Sequence, residues 1–243
     1  MSNPKEILVF QHVPHEHPGM IRDVADEQGV KLDVLELWKS YQIPDANRYN
    51  GLVIMGGPMG VYEDYPSKND ELGFIKEVVD KIPIIGFCLG SQLLAHALGA
   101  EVYPNIKNGK KIKEIGYYNV DLTDEGQGDP IFKGFNSSIR VLQWHGDAFD
   151  LPQGAILLAT SPACTNQAFR FGKNAYGMLF HNEFTPEMVQ TQIATDRNWI
   201  HEGFEIDEDQ LLQQARDNAQ LMRQQCNRLL TNFLNLTTFR NSP

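Results

Sequence analysis

The stretch Ile84-Ile-Gly-Phe-Cys88-Leu-Gly-Ser-Gln92-Leu-Leu-Ala95 runs as a short apolar strand into Gly86-x-Cys88-x-Gly90 and from there straight into a helix. This is the spacing of a nucleophile elbow, with cysteine where hydrolases carry serine. The elbow forces its central residue into a strained backbone conformation, and side chains on the flanking glycines would clash at the crowded turn. The helix places its N-terminus at the thiol, so the positive end of its dipole is expected to pull the thiol pKa down. Gly-x-Cys-x-Gly alone is a common pattern. The strand before it and the helix after it are what give it weight.

Outward from this elbow, strand-length and helix-length segments alternate. Upstream, Ile7–Phe10, Leu32–Leu37 and Leu52–Met55 are read as strands, and Pro18–Gln28 and Asp70–Lys81 as helices; Pro83–Phe87 leads into the elbow. The helix Ser91–Leu98 is closed by Gly99. Such alternation predicts an α/β fold with an open, mostly parallel central sheet covered by helices on both faces. Beyond Val102 the texture changes to short β-type pieces, namely 112–120, 139–143, 156–160, 167–171 and 176–180. These either extend the central sheet or form a small accessory β region. From Asp207 to Leu236, apolar residues at Leu211, Ala215, Met222, Cys226, Leu229 and Phe233 recur at helical spacing and predict one long amphipathic helix. Its stripe either packs on the chain's own surface or serves a dimer or partner contact. Residues 1–200 are thus expected to form the main domain and 201–243 a C-terminal helical extension.

The 243 residues carry 21 Lys+Arg against 31 Asp+Glu, a formal net charge of −10. That balance disfavours nucleic acid, which needs a basic patch. No apolar run approaches the ~20 residues of a membrane-spanning helix, and Met1 to Glu6 open no secretory leader. A soluble, cytoplasmic protein is expected. The three cysteines, Cys88, Cys164 and Cys226, are odd in number and lack a C-x-x-C pair. They fit neither a disulfide framework nor a zinc site, and no metal or cofactor is expected.

A cysteine nucleophile wants an imidazole base and a third group to orient it. His181 ends the apolar run Gly177-Met-Leu-Phe-His181, and Glu183 follows two residues on, so both side chains can enter one cleft. Taken alone, this is equally a loop histidine beside an unrelated glutamate. His12, His15 and His17 surround Glu16, but two prolines deny that segment helical ligand spacing, and a polar loop at the mouth of the cleft is expected there. Glu114 either lines the cleft or is a solvated strand residue.

Four motifs together resemble the class I (triad) glutamine amidotransferases, in family order and across residues 5–190. Gly86-Phe-Cys88-Leu-Gly-Ser-Gln92 resembles their nucleophile motif, and Phe180-His181-Asn-Glu183-Phe-Thr-Pro-Glu their Phe-His-Pro-Glu motif. Met55-Gly-Gly57-Pro-Met-Gly60 is similar to their oxyanion loop, and Trp144-His145-Gly-Asp147 to the Ser-His-Gly-Asp segment of GMP synthetases. The nearest likeness is to free-standing, GMP-synthetase-like members. The resemblance implies a flavodoxin-like fold and a Cys88–His181–Glu183 triad that hydrolyses the glutamine side-chain amide through a γ-glutamyl thioester. It implies an oxyanion hole at the N–H groups of Gly57 and Leu89. Gln92, Trp144 and His145 would bind the glutamine.

Two departures from the family pattern bear on this. Asn182 stands where the family has proline, which loses a φ constraint but keeps the spacing. Trp144 stands where serine is usual, which opens the identity of the γ-glutamyl substrate. The chain shows no phosphate-binding loop and no pyrophosphatase signature. Ammonia would then go to a separate synthetase subunit or be released. The alternatives are a stand-alone γ-glutamyl peptidase or hydrolase acting on γ-glutamyl conjugates, and a catalytically silent binding module, against which the intact Cys-His-Glu set argues.

Overall fold

The computed structural model describes residues 5–237; Met1–Pro4 and residues 238–243, the outer ends of the two expected domains, lie outside it. Among the described residues the elements are β1 (Glu6–Gln11), α1 (Met20–Glu27), β2 (Lys31–Glu36), β3 (Gly51–Ile54), α2 (Lys68–Val78), β4 (Ile84–Phe87) and α3 (Leu89–Ala97). There follow β5 (Val102–Pro104), β6 (Ile106–Lys107), β7 (Lys110–Lys111), β8 (Glu114–Leu122), α4 (Asp124–Gly128), β9 (Ser138–His145) and β10 (Asp147–Phe149). The last are β11 (Ile156–Thr160), β12 (Ala168–Phe171), β13 (Ala175–Met178), α5 (Pro186–Thr195), α6 (Arg197–His201) and α7 (Glu208–Leu236).

Nine strands share one sheet in the order β2-β1-β3-β4-β13-β12-β11-β8-β9. Neighbours run parallel from β2 to β13. From β13 to β9 they run antiparallel. The parallel half has the flavodoxin-like order, with its direction of winding reversed between β1 and β3. All five β-type pieces read from the sequence extend the central sheet, as β8, β9, β11, β12 and β13. The small accessory pairs, β5 with β10 and β6 with β7, come from other short segments of the same region.

Side-chain alternation divides the core into two layers. Ile7, Val9, Val53, Ile85 and Phe87 point into one layer, with α1, α5 and α7. Leu8, Phe10, Leu52, Ile54 and Ile84 point into the other, with α2 and α3. The tail helix belongs to the first layer. Its Leu211, Ala215, Met222, Cys226, Leu229 and Phe233 are buried in the same cluster as the sheet. Arg223 pairs with Asp23 and Glu27 of α1. No helix among the described residues is long and apolar enough to cross a membrane.

Four neighbouring parallel strands, β1, β3, β4 and β13, release at their C-terminal ends the segments around His12, Gly57, Cys88 and His181. In open α/β sheets this edge, beside the switch point, is where ligands bind.

Candidate active site

Cys88 follows β4 directly and caps α3 with φ +47°. Its N–H donates to Met178 O of β13 at 2.8 Å, and its carbonyl accepts from Ser91 Oγ at 2.6 Å. Both elbow glycines are required by close approach. A Cβ on Gly86 would lie 2.4 Å from the Gly90 carbonyl, and one on Gly90 would lie 2.2 Å from Ile54 O. The strand-to-helix turn therefore packs tightly enough to hold the thiol in its strained conformation.

His181 reaches the thiol from the neighbouring strand. Leu142 of β9 and His181 exchange backbone hydrogen bonds of 3.1 and 2.8 Å, which fixes the histidine just past β13. Its Nδ1 lies 2.7 Å from Glu183 Oε1, and the second carboxylate oxygen accepts from Asn182 N at 2.9 Å. Both side chains are almost fully buried. Cys88 is near enough for the thiol and the imidazole to shift each other's pKa. Asn182 carries no proline constraint. Instead its Nδ2 donates to Gln225 Oε1 of α7 at 2.8 Å, so the tail helix anchors the segment.

The electrostatics correct one expectation. Burial pushes the Cys88 thiol up, and His181 and the N–H of Leu89 at the helix start pull it back only in part. The helix N-terminus alone does not yield a thiolate. For His181, burial works downward, but the charge of Glu183 and hydrogen bonds to Cys88 and Glu183 hold it well above the ordinary value. A strongly basic imidazole next to a buried thiol is suited to exchange of one proton between them.

A cavity of about 420 Å³ opens at the thiol. Gly57, Gln92, Trp144 and His145 line it with Cys88. Gly57 adjoins the helix start, since a Cβ there would come within 2.8 Å of the Leu89 side chain. Trp144 presents its carbonyl to Cys88 Sγ at 3.7 Å and sends its indole Nε1 to Asp196 Oδ2 at 2.9 Å. Five of the eight residues expected at the site thus line one cavity, with Leu89 buried next to Cys88 at the helix start and His181 and Glu183 buried behind the thiol.

Other residues around the cavity were read differently or not at all. Glu114 is neither solvated nor on the cavity wall. It is buried behind His145, accepting from Ser161 Oγ and Gln167 Nε2. The loop after β1 is polar as expected, but it is partly sunk into the protein. His12 is locked between Gly56 O and Glu71, and Glu16 is buried on the cavity wall. Burial raises the Glu16 carboxyl to about 7, although His181 pulls it down. Among the described residues no group of three or more His, Cys, Asp or Glu side chains is placed to hold a metal. Gln192 and Asp196, also on the wall, sit four residues apart on and just after α5, which starts at Thr185 and Pro186. That Thr-Pro pair is a helix-start signal present in the sequence.

An elbow cysteine facing a carboxylate-held histidine is the arrangement of a cysteine-dependent acyl-transfer enzyme. Residues 19–199 match the family model described as glutamine amidotransferase class-I. The chain is 31% identical over 241 residues to the glutamine amidotransferase-like protein YfeJ of Salmonella typhimurium, covering 95% of this chain and 96% of that one. It is 36% identical over 149 residues to a glutamine-hydrolysing GMP synthase of Streptococcus thermophilus, covering 60% of this chain but 26% of the synthase. A crystal structure of a glutamine amidotransferase from Thermotoga maritima superposes with a TM-score of 0.85 at 34% identity, over 96% of this chain and 99% of that chain. The chain belongs to the class I glutamine amidotransferase family and is an enzyme of the glutamine amidohydrolase type.

Proposed function

We propose that the protein hydrolyses the γ-amide of glutamine or of a γ-glutamyl compound, with Cys88 as nucleophile, His181 as acid and base, and Glu183 as the group that orients His181. The observation that carries this is the 2.7 Å Nδ1–Oε1 contact between His181 and Glu183, which leaves the other ring nitrogen for the thiol. His181 takes the thiol proton as Cys88 Sγ attacks the γ-carbonyl carbon. The N–H groups of Gly57 and Leu89 hold the oxyanion. As the C–N bond breaks, His181 gives its proton to the departing nitrogen, leaving a γ-glutamyl thioester. Water then loses a proton to His181, adds to the thioester carbon and frees glutamate as the C–S bond breaks. Gln92, Trp144 and His145 hold the glutamyl end.

With glutamine the product is ammonia, which a separate synthetase subunit would take up. A stand-alone γ-glutamyl hydrolase is favoured by a different observation. The thiol opens onto a cavity of about 420 Å³, within the ~300–1,000 Å³ of small-molecule sites, whose wall reaches past Gln92, Trp144 and His145 to Trp199 and so has room for a leaving group beside the glutamyl part. In either case residues 1–200 form the amidotransferase unit, with the extension fastened to it by α7. Measuring glutamate and released amine across glutamine and a series of γ-glutamyl peptides, with Cys88→Ala as control, tests the proposal. Turnover that requires Cys88 supports it. No turnover of any member, or turnover unchanged in Cys88→Ala, would overturn it.

A further inference from the structure

Beside the thiol the cavity is acidic. Glu16, Glu63, Asp147 and Asp196 line it, and among the described residues no lysine or arginine does. Three of the four carboxylates have well-placed donors from the chain. Glu63 accepts from Gly60 N, Asp147 from the Tyr62 hydroxyl, and Asp196 from the Trp144 indole and the Gln192 amide.

Glu16 differs. It is only 4% exposed, and its hydrogen bonding is limited to a 3.3 Å contact from Gln192 Nε2 to Oε1. Gln192, 2% exposed, spends its N–H donors on Glu16 and Asp196, and its own Oε1 has no partner. A buried acceptor without a donor is costly. That orphan oxygen, beside a carboxylate held by one long hydrogen bond, matches a ligand group that brings several N–H donors and a positive charge, as a protonated amine does.

The neighbourhood of Glu16 says which amine. A Cβ on Gly56 would come within 2.1 Å of Glu16 Oε2 and within 3.2 Å of His181 Cε1. The carboxylate therefore lies on the imidazole's side of the cavity, the side on which the leaving group departs. Trp144 and Trp199 line the same cavity and offer apolar surface to a methylene chain.

We infer that Glu16, Gln192 and Asp196 form a subsite for a protonated amine on the leaving group, so that the preferred substrates are γ-glutamyl amides of diamines. This rests on the hydrolytic role given to Cys88, His181 and Glu183, and it names the substrate class of that same site. Attack by Cys88 breaks the bond between the γ-carbonyl and the proximal nitrogen, and His181 protonates that nitrogen. The diamine leaves with its distal ammonium on Glu16, and water releases glutamate from the thioester.

The test compares kcat/KM of the full chain on three amides of matched length. These are the γ-glutamyl amide of 1,4-diaminobutane, the neutral γ-glutamyl butylamide, and the γ-glutamyl amide of 4-aminobutyrate, which carries a negative charge instead. The cationic amide should exceed the neutral one by about tenfold or more, the effect of one charge-assisted hydrogen bond. The anionic amide should be the poorest. Glu16→Gln keeps the volume and removes the charge, and it should bring the cationic-to-neutral ratio close to one. Asp196→Asn should lower the same ratio and serves if Glu16→Gln does not fold, while the wild-type comparison needs neither. Equal rates on the cationic and neutral amides, or a preference for the anionic one, overturn the subsite and leave the hydrolytic role standing. An equal loss on all three amides and on glutamine, with the ratio kept, would place Glu16 on the glutamyl α-amino group and overturn it as well. No hydrolysis of any of the four would remove both.

Discussion

His181 and His12 are both buried histidines with a glutamate oxygen 2.7 Å from one ring nitrogen. They differ in what the second nitrogen meets. For His12, Nε2 is on Glu71 and Nδ1 is 2.9 Å from Gly56 O, so both nitrogens are committed to the protein. For His181, Nδ1 is on Glu183 and the remaining nitrogen is turned to Cys88. Both imidazoles are held above the ordinary value against the downward pull of burial, His12 by Glu71 and His181 chiefly by Glu183. A buried histidine–carboxylate pair is therefore not in itself a site. One uncommitted nitrogen beside a nucleophile distinguishes the proposed catalytic pair from the structural one.

The largest effect expected concerns what covers the two pairs. α7 packs on the His181 side, where Gln225 anchors Asn182, and its apolar stripe lies in the layer below the sheet. Removing residues 207–243 should expose that layer, with each large side chain worth about 1.5–3 kcal/mol, so the melting temperature should collapse or the protein should aggregate. A soluble truncated chain with unchanged melting temperature and oligomeric state would show that the helix is a detachable appendage.

Next come the substitutions that separate the pairs. Glu183→Gln should keep the fold and lower kcat by about 10²–10⁴-fold, the usual reach of acid–base assistance, and by less than Cys88→Ala does. Glu71→Gln should do the reverse. Breaking a buried ion pair costs about 3–5 kcal/mol, or about 2–4 °C per kcal/mol for a chain of this size, with kcat changed far less than by Glu183→Gln. Thermal melts and steady-state kinetics on both variants check this. If the two fall in both quantities alike, the division into catalytic and structural pairs is wrong.

A smaller effect is the pH dependence of the structural pair. The folded-state pKa of His12 is raised, so its contribution to stability is full below about 6.5. It is lost as pH rises through the folded value. The melting-temperature gap between wild type and Glu71→Gln should therefore narrow with rising pH. A gap that widens with alkalinity would mean that His12 is neutral in the fold.

What was legible in the sequence followed from local physics. The first strands and helices could be read because continuous apolar runs alternate with helical spacing. Gly29 and Gly99, at φ +66° and +90°, end helices where glycine is favoured. The elbow, His181 and Glu183 were legible as motifs, as was the tail stripe from Leu211 to Phe233. The His12–Glu71 pair joins residues 59 apart in the chain, and the Glu16–Gln192 contact spans 176. No spacing rule reaches that far. Burial of Glu114 was equally hidden, because its partners Ser161 and Gln167 sit just after β11 and just before β12, strands whose place in the sheet order only the assembled fold defines.

The central claim is that Cys88 alone of the three cysteines carries the γ-glutamyl group. All three thiols are buried, and burial raises the pKa of each, Cys164 to about 11 and Cys226 further still. Of the three, Cys88 lines the cavity at the thiol. The direct measurement is peptide mapping by mass spectrometry after mixing the protein with a γ-glutamyl amide and quenching in acid within the first turnovers. The account predicts a mass increase of one γ-glutamyl group on the peptide containing Cys88, removed by hydroxylamine and absent from Cys88→Ala. The same adduct on Cys164 or Cys226, or substrate turnover with Cys88 unmodified throughout, would contradict it.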